Sequence, residues 1–143
     1  NALVVDDFSF NQNLHKLLLE REGVKVTTAS NGMEAVEDYQ ARDDYYDFIL
    51  MDIHMPEVNG FTAAKMIRDW EKENKRRKVD IYFVSGEYYN EEDILVGFKN
   101  KNGGNELSGI RCLRKPLDIE IIQKIVEKYF DGTGGNIGVG VKR

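Results

Sequence analysis

The sequence is poor in residues that build covalent or metal cross-links. Cys112 is the single cysteine, and only two histidines occur among 143 residues. No internal disulfide can form, and one thiol with two imidazoles cannot assemble a structural zinc site. Long hydrophobic runs are missing as well. No stretch approaches the roughly 20 apolar residues of a membrane helix, and no signal-peptide pattern is visible. Internal repeats are absent, and so is a basic excess: the formal net charge of −5 argues against nucleic acid or an anionic membrane as a partner. A hydrophobic content of 41% with 31% charged residues is that of an ordinary globular chain. An intracellular protein of one domain is expected, able to bury about two-thirds of its unfolded surface. The chain opens almost directly in a strand, which suggests a piece of something larger.

What is present is an alternation of strand and helix signals, five times over. Residues 2–6 are a short apolar run. Residues 8–22 place Phe10, Leu14, Leu17 and Leu18 at helical spacing before the stop at Gly23. Val24, Val26 and Thr28 read as a second strand, followed by the Asn31-Gly32 turn and a helix over 33–42 with Met33, Ala35, Val36 and Tyr39. Phe48 to Met51 is apolar on both faces, as expected of a central parallel strand. Asn59-Gly60 leads into a third helix carrying Ala63, Ala64, Ile67 and Trp70. Ile81 to Val84 is a fourth strand, Glu91 to Phe98 a fourth helix and 110–114 a fifth strand. Asp118 caps a last helix with Ile121, Ile122, Ile125, Val126 and Tyr129. Five βα units imply a doubly wound α/β domain with five helices flanking a parallel sheet. Two segments break the pattern. Residues 99–109 (KNKNGGNELSG) read as an exposed loop, and the glycine-rich residues 132–143 as a tail or linker.

In such a sheet, ligands bind beyond the carboxyl ends of the strands. Asp6 and Asp7 follow the first strand, Asp52 closes the third, Ser85 ends the fourth and Lys115 follows the fifth. Clustered carboxylates repel one another unless a cation sits among them, and oxygen-only donors with open water positions suit Mg²⁺ or Mn²⁺. Lys115 adds a second cationic contact, Ser85 a hydroxyl donor, and Gly86 leaves room for an entering group. Asp52 on the central strand is the natural nucleophile, because carboxylates attack phosphorus to form aspartyl-phosphates.

With these pieces in order, the chain resembles the receiver domain of two-component response regulators over residues 1–131. The matching motifs are VVDD at 4–7, ILMDIHMPEVNG at 49–60, FVSG at 83–86 and RKPL at 114–117. The segment DDFSFNQNLHKLLLEREG, with Asn11, further resembles receivers fused to hybrid histidine kinases. The resemblance implies a flavodoxin-like sheet of strand order 2-1-3-4-5. It implies that Asp52 is the phosphoacceptor, that Asp6, Asp7, Asp52 and the backbone carbonyl of His54 hold Mg²⁺, and that Ser85 and Lys115 hold the phosphoryl group. It implies a cis Lys115-Pro116 peptide. The donor would be a phosphohistidine on a histidine kinase or histidine-phosphotransfer domain, with an output domain or effector downstream. The setting would be the cytoplasm, or the cytoplasmic side of a membrane-anchored hybrid kinase. His54 and Glu87 would flank the path of the hydrolytic water.

Two departures stand out. Receivers usually carry Tyr or Phe three residues before the lysine, as a rotamer switch, and Cys112 stands there. The span from Ser85 to Lys115 is also longer than usual, and its excess maps to 99–109, which predicts an altered output surface. These features keep a pseudo-receiver scaffold as an alternative. A phosphohydrolase of the haloacid-dehalogenase type also uses an Asp nucleophile and Mg²⁺, but it wants Asp two residues beyond, where His54 stands. The run Lys72 to Lys78 (KENKRRK) is read as a solvated helix end.

Overall fold

The computed structural model describes residues 1–87, 89, 94 and 109–130. Five strands, β1 (Ala2–Val5), β2 (Val26–Ala29), β3 (Phe48–Asp52), β4 (Asp80–Ser85) and β5 (Ile110–Arg114), form one parallel sheet of order β2-β1-β3-β4-β5. Four helices are present among the described residues: α1 (Ser9–Glu20), α2 (Gly32–Ala41), α3 (Gly60–Glu73) and α4 (Ile119–Glu127). The expected helix over Glu91–Phe98 lies outside the described residues except for Ile94, which is helical and buried. The expected loop at 99–109 lies outside them except for Gly109, and the tail at 132–143 does so entirely.

The continuous apolar strands split by side-chain alternation into two cores, as a sheet covered on both faces requires. Leu3, Val5, Ile49, Met51, Ile81 and Phe83 meet Ala35, Val36 and Tyr39 of α2 and Ala63, Ala64 and Ile67 of α3. Ala2, Val4, Phe48, Leu50, Tyr82 and Val84 meet Leu19 of α1 and Ile122, Ile125 and Val126 of α4. The helix starts follow the cap chemistry. Asn31 accepts from the Glu34 amide at 2.8 Å, Asn59 from Thr62 at 2.9 Å and Asp118 from Ile121 at 2.9 Å. Each such cap is worth about 1 kcal/mol.

The apolar face expected for the first helix is met at Leu18, which packs on the core, but not at every position. His15 and Leu19, four residues apart, are the buried positions of α1, whereas Phe10 is 65% and Leu17 56% exposed. Spacing alone does not say which of two neighbouring apolar stripes meets the sheet, and here the inward one includes a histidine. Met33, in the first turn of α2, is exposed as well.

At the amino edge of the sheet, Glu71 is buried and accepts from Tyr39 Oη at 2.6 Å, Arg68 Nη1 at 2.9 Å and the Val79 amide at 2.8 Å. A buried carboxylate is tolerated only when donors replace its lost water, and this one ties α2 and α3 to the start of β4. Beside it, Arg76 pairs with Asp43 and Arg77 with Asp44, so part of the basic run is engaged in ion pairs.

Candidate functional site

The register of the sheet brings the distant residues together. Val5 pairs with Met51, so Asp6 and Asp52 come level one step further on. Asp52 pairs with Val84, which puts Ser85 just beyond, and Ser85 pairs with Arg114, which puts Lys115 next. The Lys115 amide donates to the Ser85 carbonyl at 2.7 Å, and Lys115-Pro116 is cis.

Carboxylate oxygens of Asp6, Asp7 and Asp52 lie within 4.8 Å of one another. Asp6 and Asp52 are buried and Asp7 is exposed. Lys115 Nζ reaches across, 3.2 Å from Asp52 Oδ1 and 3.4 Å from Asp6 Oδ2. Asp6 also accepts from the Phe8 amide at 2.9 Å through Oδ1, which shapes the exit into α1. Burial, then the neighbouring Asp6 carboxylate, push the Asp52 carboxyl above the usual carboxylate range, and Lys115 only partly opposes this. Among the described residues one lysine faces three carboxylates, which leaves the cluster under-compensated. Its oxygen-only donor set, one member of which faces solvent, fits a hard divalent cation.

Ser85 is fully buried, and its Oγ accepts from the Glu87 amide at 3.0 Å, which leaves the hydroxyl hydrogen to donate elsewhere. His54 is exposed two residues after Asp52. Its Nε2 lies 2.9 Å from Tyr89 Oη and 3.6 Å from Glu87 Oε1. Cys112 is partly buried against the α2–α3 core, and burial pushes its thiol up, which makes it a poor nucleophile.

Three residues at the site escaped the sequence reading. Gln12 Nε2 donates to the Asp6 carbonyl at 3.1 Å and the Ala29 carbonyl at 3.0 Å, lacing the ends of β1 and β2. His15, buried on α1, is held toward its neutral form chiefly by that burial, against the pull of Asp6. Tyr89 bonds to both His54 and Glu87. A polar residue in an α1 sequence or a tyrosine in a loop carries no local pattern; each matters only through partners far along the chain.

Fold and site together define an α/β domain with an acidic, lysine-bridged pocket at the carboxyl edge of a parallel sheet. The family model for the response regulator receiver domain matches residues 2–127, and the chain belongs to that family. Two-component response regulator ARR22 of Arabidopsis thaliana is 30% identical over 131 residues, 92% of this chain and 84% of that one. Hybrid signal transduction histidine kinase M of Dictyostelium discoideum is 30% identical over 129 residues, 88% of this chain but 5% of the kinase. Against the Arabidopsis thaliana two-component response regulator 24 the chain spans about half of the relative, 52% of its length. Among solved structures, the receiver domain of the response regulator Ssk1 of Saccharomyces cerevisiae, crystallised with the histidine phosphotransfer protein Ypd1, has a TM-score of 0.71 and 27% identity, covering 90% of this chain and 87% of that one. The response regulator TrrA of Thermotoga maritima, in complex with Mg²⁺ and BeF, has a TM-score of 0.68 and 25% identity, covering 89% and 96%. Among the described residues no helix is long and apolar enough to cross a membrane.

Proposed function

We propose that this chain is the phosphoacceptor of a two-component phosphorelay, with Asp52 taking a phosphoryl group from a phosphohistidine. The observation that carries the reading is the Asp6–Asp7–Asp52 cluster bridged by Lys115. Asp52 Oδ attacks phosphorus, the P–N bond to the donor imidazole breaks, and the imidazole leaves with its electron pair. Asp6, Asp7, Asp52 and the His54 carbonyl would hold Mg²⁺, with Mn²⁺ as a substitute, and the ion supplies charge neutralisation for the incoming phosphoryl oxygens. Support for that ion comes from the under-compensated carboxylates and from the Mg²⁺ in the TrrA complex. Lys115, already between Asp6 and Asp52, exchanges those contacts for a phosphoryl oxygen, and the Ser85 hydroxyl donates to another. Phosphorylation then shifts the population of the face around Ser85, Cys112 and the helix expected over Glu91–Phe98. The receiver unit is taken as residues 1–131, followed by a glycine-rich tail at 132–143. The hybrid-kinase relatives support a place within or beside such a kinase, and the reading takes that place to be cytoplasmic.

The test is intact mass after incubation with acetyl phosphate, with and without Mg²⁺, on wild type and Asp52→Asn. One phosphoryl group gained by wild type, and lost on chelation and in the variant, is the expected result. No gain by a folded protein would sink the reading and leave a pseudo-receiver scaffold.

The rim of the site supplies a docking surface for the donor. Phe8 and Phe10, 58% and 65% exposed with ring centroids 6.2 Å apart, follow the Asp pair, and Ile119, 45% exposed, starts α4 just past Lys115. Exposed rings clustered beside a reacting group are the usual anchors of an interface. The Ssk1 receiver, crystallised with a histidine phosphotransfer protein, supports a partner of that kind. Phe10→Asp is expected to slow transfer from a histidine-phosphotransfer domain at least tenfold, about 1.4 kcal/mol of lost docking. Phosphorylation by acetyl phosphate should be spared; equal slowing with both donors would place Phe10 in the site instead of the docking surface.

A further inference from the structure

Tyr89 joins two loops across the carboxyl edge of the sheet. Its hydroxyl donates to Glu87 Oε1 at 3.2 Å and lies 2.9 Å from His54 Nε2. When the single hydroxyl hydrogen goes to Glu87, the oxygen accepts from His54 in the tautomer that carries the Nε2 proton, and the order then runs imidazole to phenol to carboxylate. The ring is anchored from below. It packs edge-on against Phe61 at 5.8 Å, and Phe61 packs edge-on against buried Phe83 at 5.0 Å. By contrast the side chains of His54 and Glu87 are 60% and 72% exposed, and on their own would sample many rotamers. A core-anchored phenol therefore holds two exposed polar groups whose direct contact, His54 Nε2 to Glu87 Oε1, is the longer 3.6 Å. They lie two residues beyond Asp52 and two beyond Ser85.

We infer that Tyr89 is a positioning residue that sets the lifetime of the phosphorylated state, by holding His54 and Glu87 together over the solvent side of the pocket. The inference rests on the phosphoacceptor reading of Asp52 and adds a regulator of that same site. In hydrolysis a water oxygen bonds to phosphorus as the P–O bond to Asp52 breaks. The carboxylate departs with the electron pair, inorganic phosphate forms, and the proton passes to solvent. Water must approach opposite the Asp52 oxygen, through the open side of the site. Two side chains clasped across that side exclude it more of the time than two side chains moving independently.

The experiment follows loss of the phosphoryl group by intact mass after removal of acetyl phosphate from wild type, Tyr89→Phe, Glu87→Ala and the double variant. Tyr89→Phe keeps the ring and its packing on Phe61 and removes only the hydroxyl. Its decay should be faster by roughly three- to tenfold, the effect of one hydrogen bond on an equilibrium, with an unchanged melting temperature. In the Glu87→Ala background the same substitution should add much less, because the clasp is already open. Decay of Tyr89→Phe at or below the wild-type rate, or full multiplicative effects in the double variant, would overturn the inference while leaving Asp52 as acceptor. Failure of wild type to gain a phosphoryl group at all would overturn both.

Discussion

Asp52→Asn is expected to raise the melting temperature of the metal-free domain at pH 7 by a few degrees, while abolishing its phosphorylation. The cause is the electrostatic state of the pocket. Asp52 is 5% exposed, carries Asp6 and Asp7 as neighbours and has Lys115 as its cationic contact. Burial and like charge raise its folded-state pKa above the unfolded value. The folded protein then holds the Asp52 proton more tightly than the unfolded chain does, so ionising Asp52 works against folding. Below the ordinary carboxylate range, about pH 4, both states are protonated and the variant gains nothing from this source. As pH rises from there through the raised folded value, the advantage of Asn appears, and above that value it is complete. A few degrees in a domain of this length corresponds to about 1 kcal/mol. Mg²⁺ should reverse the ranking. A cation that binds only the folded state stabilises by RT ln(1 + [L]/Kd), about 2.7 kcal/mol at a hundred times Kd, and the wild-type cluster offers one more anionic ligand than the variant. Thermal melts at pH 4 and 7, with and without Mg²⁺, read all of this at once. A variant less stable than wild type in chelator at pH 7 would show that Lys115 over-compensates the cluster.

That the candidate site's residues would meet was legible in the sequence, while much around them was not. Asp6, Asp7, Asp52, Ser85 and Lys115 each sit at the end of an apolar run, and a parallel sheet gathers all such ends on one edge. The strand order and both cores follow from the same runs, because alternation along β1, β3 and β4 serves two faces. The α1 stripe followed only in part, with Leu18 on the core. Phe10 and Leu17 look like core to any periodic reading, yet they face outward, while His15 takes the buried place. Glu71 with Arg68 was equally hidden, because RDWEKENKRRK reads as a solvated helix end until Tyr39 and the Val79 amide are found on the Glu71 carboxylate. Tyr89 belongs with these: its meaning lies in contacts with His54, Glu87 and Phe61, which no spacing encodes.

Gly60→Ala should damage both fold and site, and Gly86→Ala neither fold nor core packing. A Cβ on Gly60 would stand 2.3 Å from the Asp52 carbonyl oxygen and 2.9 Å from Ile53 Cα. Both are backbone atoms, so no rotamer change relieves the contact. The first turn of α3 must lift away from the end of β3, and the 2.9 Å bond from the Gly60 amide to the Ile53 carbonyl is lost with it. The loop between has no slack to absorb the shift. Glu57 already holds a left-handed φ of 67°, and the Val58 carbonyl lies 2.6 Å from where a Cβ on Gly32 would be, at the start of α2. The segment that carries Asp52 out of the sheet is thus held between two helix starts, each approached closely enough that only glycine fits. Overpacking of this kind costs about 1–3 kcal/mol, and more where backbone must move, so Gly60→Ala should lower the melting temperature by several degrees. Because the displaced atoms are those that aim Asp52, the rate of phosphorylation by acetyl phosphate should fall as well, even at temperatures where the variant is fully folded. Gly86, beside Ser85, has nothing among the described residues within 4 Å of a built Cβ, so its alanine variant should keep the wild-type melting temperature within the scatter of surface changes, about 0.5 kcal/mol. If Gly60→Ala melts like Gly86→Ala and phosphorylates at the wild-type rate, the close approach of α3 to Asp52 is not what fixes the acceptor.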